Sequence, residues 1–424
     1  MNADPVLFVG VDWAKDEHQV CVLEPRGSVV EESVLAHTGV AVAALADRLA
    51  KRAEGEVARV AVGIEVPRGA LVETLIERGF RVFALNPKQM DRFRDRHFPS
   101  GAKDDRRDAY VIADSLRTDQ HCFREVALDD PLVIRLREHV RVADDLRDEA
   151  NRLGNRMRDL LHRYFPPLLR IAPAGDEPWL LELLERAPTP TAARQLRPHV
   201  IEAILRRHRI RRITADQVLE AAREPGLSLA PGSVEAASAH VVMLIPRIRL
   251  VQAQRRETQR QLDQILAELS KAETDSPEKR EHRDAEIILS LPGVGTVVAA
   301  TMLAEAPGPL ADRDYHAMRA HAGIAPVTKA SGKRKNASAR VSMRRACNGR
   351  LRNAVYHWAR VATQHDEAAK AHYAALRAKG HSHGRALRGV ADRLLRILFG
   401  MLRSRTLYDP TRRRAVPPPD RKAA

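Results

Sequence analysis

The sequence predicts a chain of two characters: an α/β domain at the N-terminus and an all-α remainder. Three observations carry this. Short, continuous apolar runs alternate with Ala/Leu-rich helical stretches over residues 1–125. From about residue 130 the apolar positions recur every seven residues instead. Aromatic residues make up only 4% of the 424 positions while hydrophobic residues make up 44%, so the cores are aliphatic and suited to helix packing. A chain of this length is expected to form two or three domains.

The elements follow in order. Residues 6–24 read as two strands of a hairpin, the first a nearly unbroken apolar run from Val6 to Val11, as in a strand buried on both faces. Asp16 and Glu17 fall in the turn between them. Residues 40–53 form a helix. Residues 58–64 (ARVAVGI) form a second buried strand that ends at Glu65, broken by Pro67 and Gly69. A helix over 70–79, a strand over 81–85 and Asn86-Pro87 come next, and KDDRRDAYVIADSL becomes helical. Leu136, Ala143, Ala150 and Met157, interleaved with Leu146, Leu153 and Leu160, predict a coiled-coil helix of roughly 30 residues ended by Pro166-Pro167. Thr214 is a candidate N-cap. A second long helix spans about 232–272, with Pro246 expected to kink it. The two long helices could pair within the chain or between chains. Residues 273–284 read as a linker. A helical segment from Glu286, a basic amphipathic helix after about 376 and a disordered Pro/Arg tail complete the chain. The domains expected are 1–125, 126–280, 281–405 and a basic tail over 406–424.

Charge separates the two ends. Residues 321–424 hold 24 Lys+Arg against 5 Asp+Glu, whereas the rest holds 47 against 50, so the net charge of +16 arises in the C-terminal quarter. That concentration points to a polyanionic partner. Cys21, Cys122 and Cys347 are odd in number and widely spaced, which argues against a disulfide framework or zinc site. The N-terminus reaches acids too early for a signal peptide, and no run is long enough to span a bilayer. A cytoplasmic protein without membrane partners is expected.

Four carboxylates stand where strands end or a helix begins: Asp12, Glu65, Asp105 and Asp108. Acids converging from separate segments are what divalent cations need, and ligands of open α/β sheets gather at the carboxyl ends of strands. A spacing of three puts Asp105 and Asp108 on one helix face, although Asp104 and Asp108, spaced four, compete. At the other end, Leu291-Pro-Gly-Val-Gly295 separates two helical runs, and Gly293 and Gly295 permit a tight turn whose amides could meet phosphate. From Tyr315 to His365 there are eleven Lys or Arg and no acid. Lys329, Lys333, Arg334, Lys335, Arg340, Arg344, Arg345, Arg350 and Arg352 in that stretch are candidate phosphate contacts with salt-sensitive affinity. Ser331 lies in a loop among these cations, where a hydroxyl could approach phosphorus while they stabilise developing charge. Ser338 and Ser342 compete with it, and Ser342 could instead cap the helix carrying Arg350. His381 and His383 (GHSHG) read as a solvated turn.

VGVDWAKDEHQV, VGIEVPRG, ALNPKQM with KDDRRDA, LPGVG and HAGIAPVTKASGKRK occur in that order. The series resembles the transposases of the insertion-sequence one-hundred-ten family, also described as bridge-RNA-guided recombinases, over about residues 6–405. The resemblance implies an N-terminal RuvC-like domain of the ribonuclease H fold, a coiled-coil middle and a C-terminal serine transposase domain; the helix, Pro-Gly-Val-Gly turn and helix over residues 288–306 are themselves similar to the helix-hairpin-helix of DNA-binding proteins. It implies an acidic tetrad on Asp12, Glu65, Asp105 and Asp108 that holds Mg²⁺. Asp104 replaces the Thr usual in the family at that point. It implies a nucleophile on Ser331, a covalent phosphoserine link to DNA and strand exchange. Donor and target DNA, a structured non-coding guide RNA and homodimers pairing into tetramers are the implied partners, with nucleoid association when active. A junction-cleaving endonuclease using water as nucleophile is the alternative the acids alone would allow.

Overall fold

The computed structural model describes residues 4–67, 69–85, 87–97, 104–126, 131–224, 229–271, 283–329 and 340–410. The chain divides into two units, Met1–Asp129 and Asp130–Ala424.

The first unit is built from β1 (Leu7–Asp12), β2 (Glu17–Leu23), β3 (Val29–Ala36), α1 (Gly39–Arg52), β4 (Val60–Ile64), α2 (Ala70–Glu77), β5 (Arg81–Ala84), α3 (Pro87–His97), α4 (Asp105–Asp119) and β6 (Arg124–Val126). The strands form one sheet in the order β3-β2-β1-β4-β5-β6. β1, β2 and β3 form an antiparallel meander, β4 and β5 run parallel to β1, and β6 returns antiparallel on β5. Glu17 opens β2 rather than lying in the turn. Strands β3 and β6 were not expected from the sequence.

Strand alternation assigns each residue a face. Leu7, Val9 and Val11 of β1 join Val60, Val62 and Ile64 of β4 in a core with Val42, Leu45, Ala46 and Leu49 of α1. Phe8 and Ala61 point the other way, into a second core with Ala109, Ile112, Ala113 and Leu116 of α4. The sheet is therefore covered on both sides, which explains its continuous apolar strands. Thr38 caps α1 by accepting the Ala41 N–H at 3.3 Å, and Lys51 and Arg52 occupy its last turn, where the helix dipole favours cations.

The second unit contains α5 (Pro131–Tyr164), α6 (Pro167–Ile171), α7 (Pro178–Arg186), α8 (Pro190–Arg194), α9 (Pro198–Arg207), α10 (Ala215–Arg223), α11 (Ser233–Ser270), α12 (Asp284–Leu289), α13 (Thr296–Glu305), α14 (Pro307–Ala311), α15 (Tyr315–His321), the hairpin β7 (Pro326–Lys329) and β8 (Arg340–Met343), then α16 (Gly349–His365), α17 (Glu367–Ala378) and α18 (His383–Ser404). Prolines at the first position of α6, α7, α8 and α9 divide residues 167–207 into short helices, since a proline there lacks only an N–H that has no helical acceptor anyway. Thr214 caps α10 in a reciprocal capping box with Gln217. The linker stretch 273–284 lies outside the described residues except for its last two positions, and the tail from 411 lies outside them entirely.

The two long helices pair within the chain. Leu136 and Val140 of α5 share a core with Leu262, Ile265 and Leu266 of α11. Leu153, Met157 and Leu161 share another with Val241, Leu244, Ile245 and Ile248. The opposite progression of the two sets makes the pair antiparallel. One end of it anchors α7 to α10, and the other anchors α12, α13, α16 and α18.

Candidate active site

Asp12 closes β1, and Glu65 follows the last residue of β4. The two strands are parallel neighbours, with Val11 registered on Ile64. Both acids therefore leave the same, carboxyl, edge of the sheet. Asp12 also continues the face of Phe8 and Gly10, and Glu65 that of Ala61 and Gly63, so both belong to the side covered by α4.

What brings α4 to that edge is a pair of glycines. Gly10 and Gly63 are registered partners. A methyl group at Gly10 would lie 2.0 Å from the Ala109 carbonyl oxygen and 2.6 Å from the Ala113 nitrogen, and one at Gly63 would lie 2.8 Å from Ile112 Cγ2. The missing side chains form a trough that takes the α4 backbone at Gly10 and the Ile112 and Leu116 side chains at Gly63. The helix is directed along it: Arg106, in its first turn, pairs with Glu32 of β3, whereas Arg117, in its last, reaches the Pro25 carbonyl beyond β2 at 3.4 Å. Its N-terminal turn, with Asp105 and Asp108, thus stands at the carboxyl edge beside Asp12 and Glu65.

The four acids differ in state. Asp108 is buried, with 4% exposure, and accepts a 2.6 Å bond from Arg94 Nε of α3. That bond leads the causes holding the Arg94 guanidinium above its ordinary pKa. Asp105 is exposed. Asp104 serves as N-cap, accepting the Arg106 N–H at 3.2 Å, which gives it a structural role. The four share one edge, yet no three of their oxygens come within 4.8 Å of one another. Among the described residues that closeness occurs only at Asp119, His121 and Cys122, at the far end of α4. An all-oxygen donor set with room for water fits a hard divalent cation better than a soft one.

Sequence reasoning missed His18. It is fully buried, accepts the Ala14 N–H on Nδ1 at 3.2 Å and bonds His37 Nδ1 through Nε2 at 2.8 Å. Accepting on Nδ1 requires the tautomer protonated on Nε2, so His18 donates to His37. Burial first, and His37 second, push the His18 pKa down. Trp13 stacks on its ring with centroids 6.0 Å apart. The group pins the turn that follows Asp12. The signal available in the sequence was a histidine at a strand position whose neighbours Val20 and Val22 face the core.

In the second unit, Gly293 takes a left-handed φ of 78°, and a methyl group there would lie 2.8 Å from the Ala362 nitrogen of α16. The turn between α12 and α13 is packed on α16 and tied by Trp358 Nε1 to the Pro292 carbonyl at 3.0 Å. Gly295 is the exposed N-cap of α13. Next to it, Thr296 Oγ1 donates to Asp263 at 2.6 Å, placing an acid where phosphate was expected. Ser331, Lys333, Arg334, Lys335 and Ser338 lie outside the described residues, as do the side chains of Lys329 and Arg340. Ser342 is in β8, and Asn348, not Ser342, caps α16 by accepting the Leu351 N–H at 3.0 Å. Arg350 bonds Asp144 of α5 at 2.9 Å, a bracing contact. Arg344 donates to the Ala346 carbonyl, Arg345 is exposed and Arg352 lines a cavity with Asn353, Tyr356 and Arg388 at the base of the hairpin. His383 is engaged, with Tyr373 Oη 2.7 Å from its Nδ1, so the GHSHG turn is more than solvated.

Among the described residues no helix is long and apolar enough to cross a membrane. A DEDD-type transposase model of the IS110 kind matches residues 9–166, and the model of the Transposase IS116/IS110/IS902 family matches residues 285–374. A Sinorhizobium fredii protein, y4uE, named as a transposase, is 51% identical over 211 residues, which span 49% of this chain and 58% of that protein. The IS117 mini-circle protein of Streptomyces coelicolor, also named as a transposase, is 32% identical over 96% of both chains. The 43.6 kDa protein of insertion element IS110 from the same organism is 30% identical over 96% of both. With two relatives at least 30% identical over 96% of both chains and both family models matched, this chain belongs to the IS110 family of insertion-sequence transposases, enzymes that act on DNA.

Proposed function

We propose that the chain cuts and rejoins DNA through a phosphoserine intermediate with help from Mg²⁺. The observation that carries the reading is the convergence of Asp12, Glu65 and the first turn of α4 on one edge, enforced by Gly10 and Gly63. The strand order β3-β2-β1-β4-β5, with a three-strand antiparallel meander followed by parallel strands, supports a ribonuclease H-like, RuvC-like fold. On this reading residues 1–125 supply the acids, 126–280 the helical connection and 281–405 the nucleophile.

Asp12, Glu65, Asp105 and Asp108 would hold the cation, with Arg94 releasing Asp108 to it. When bound, Mg²⁺ would neutralise charge on the phosphate and on the departing oxygen. Ser331 Oγ gives up its proton and bonds to phosphorus, and the bond from phosphorus to one sugar oxygen breaks, leaving a sugar hydroxyl. The DNA stays joined to the protein until another strand's hydroxyl reverses the step. A structured guide RNA that pairs with donor and target would read the sequence, leaving the protein mainly phosphate contacts. Dimers paired into tetramers would hold the two DNA molecules.

Incubation of the full-length protein with guide RNA, DNA and Mg²⁺, followed by denaturing gels, tests the reading. Ser331→Ala should abolish the covalent adduct, and Asp12→Ala should reduce it at least a hundredfold, an effect on the order expected for losing a metal ligand at the reacting centre. Full strand cleavage by Ser331→Ala would instead favour a water-using junction endonuclease.

A further inference from the structure

The last turn of α9 and the turn that leads to α10 read Arg206-Arg207-His208-Arg209-Ile210-Arg211-Arg212, and no acid occurs from residue 203 to 215. This run lies between the two stretches that the family models match, residues 9–166 and 285–374. All five arginines are exposed. Two are committed to the fold: Arg207 pairs with Glu182, and Arg212 bonds the Ile171 carbonyl and, at 3.0 Å, Glu177. The other three, Arg206, Arg209 and Arg211, line one open cavity of about 460 Å³. Leu205, Ile210 and Ile213, and the acids Glu202 and Asp216, line it as well. Among the described residues none of these three arginines has an ion-pair partner.

Arg209 is the informative member. It ends α9 with φ 55°, and the reversal is closed by Arg209 N–H to the Arg206 carbonyl at 3.0 Å and Ile210 N–H to the Leu205 carbonyl at 2.8 Å. A left-handed residue at this point is best served by glycine. Arg313, also left-handed, is accounted for by its paired bonds to Asp284. Among the described residues Arg209 makes no such contact, which leaves its exposed guanidinium available to a partner.

We infer that the α9–α10 turn is a docking site for the sugar–phosphate backbone of a folded nucleic acid, gripped by Arg206, Arg209 and Arg211. The strained position aims a guanidinium outward that glycine could not provide. This site is independent of the acid and serine chemistry proposed above, so it can fail or stand alone.

The test is equilibrium binding of the full-length protein to one fluorescent duplex, made both as RNA and as DNA, over 0.05–0.3 M NaCl. Arg206→Gln, Arg209→Gly and Arg211→Gln should each lower the salt slope by about 0.9 and weaken binding by about fivefold at 0.15 M. Arg260→Gln on α11, where the arginine already pairs with Glu257, is the control for net charge and should change binding less than twofold. Arg209→Gly should leave the thermal midpoint unchanged or raise it by about 1–2 °C while affinity falls, because glycine relieves the left-handed strain. Loss confined to the RNA duplex identifies RNA as the occupant, loss confined to DNA identifies DNA, and equal loss identifies the backbone common to both. Slopes unchanged from wild type, or losses no larger than the Arg260 control, overturn the inference. So would a change in oligomeric mass by light scattering with no change in affinity, which would mark the turn as a protein contact.

Discussion

A carboxylate with 4% exposure and a guanidinium on top of it form a guarded site at Asp108 and Arg94. The pair neutralises a charge that burial alone would disfavour, and a cation could take over that task. Arg94→Gln should lower the stability of the metal-free protein by about 1–3 kcal/mol, since one partner's charge is then left uncompensated. Adding MgCl₂ should restore more stability to this variant than to wild type. Equal thermal shifts in the two proteins would argue against Asp108 as a ligand. His18 carries a different residue-scale consequence. Its pKa is held below the ordinary value by burial and by His37, so the unfolded chain takes up a proton before the folded one does as pH falls. The stabilising contribution is complete above about pH 6.5 and declines as pH drops from there toward the folded pKa. A plot of thermal midpoint against pH should fall below that point in wild type and more shallowly in His18→Gln.

The acids had visible signals as strand-end residues, but what positions them lies at the scale of the element. A glycine inside a buried strand is readable as a site of close backbone approach, yet the sequence does not say what approaches. The register that pairs Gly10 with Gly63, the α4 backbone lying over Gly10 and the Ile112 side chain lying over Gly63 became apparent only in three dimensions. Gly10→Ala should therefore destabilise the first unit by about 1–3 kcal/mol through overpacking, and should depress DNA cleavage even where circular dichroism reports a folded chain. Unaltered activity would mean that the seating of α4 does not set the acids. Strands β1, β2, β4 and β5 were legible because apolar runs bury them on both faces. β3 was not, because an edge strand with Glu31, Glu32 and Ser33 lacks that run, and β6 offers only three residues. The long helices were legible in length but not in partner, because a heptad seam looks the same whether it packs within or between chains. Ser342 misled for a similar reason: a serine ahead of a helix has the right chemistry for a cap, and Asn348 stands closer to the start.

At the scale of the molecule, the sequence places the carboxylates in the first unit and Ser331 far along the second. A composite reaction centre formed between protomers would have a specific genetic signature. Suppose Asp12→Ala and Ser331→Ala proteins, each inert alone, are mixed and allowed to exchange subunits. If acids and serine must come from the same protomer, every centre in the mixture lacks one or the other, and no covalent adduct forms. If they come from different protomers, each mixed dimer holds one centre with both defects and one with neither. Random exchange makes half of the dimers mixed, so about one quarter of the wild-type adduct should return, a consequence of two-fold symmetry in the assembly. Adduct formation is the right measurement, since complete strand exchange needs several intact centres at once and would hide a partial rescue. No adduct in a mixture whose subunits demonstrably exchange would confine the chemistry to single protomers and require Ser331 to meet the acids of its own chain.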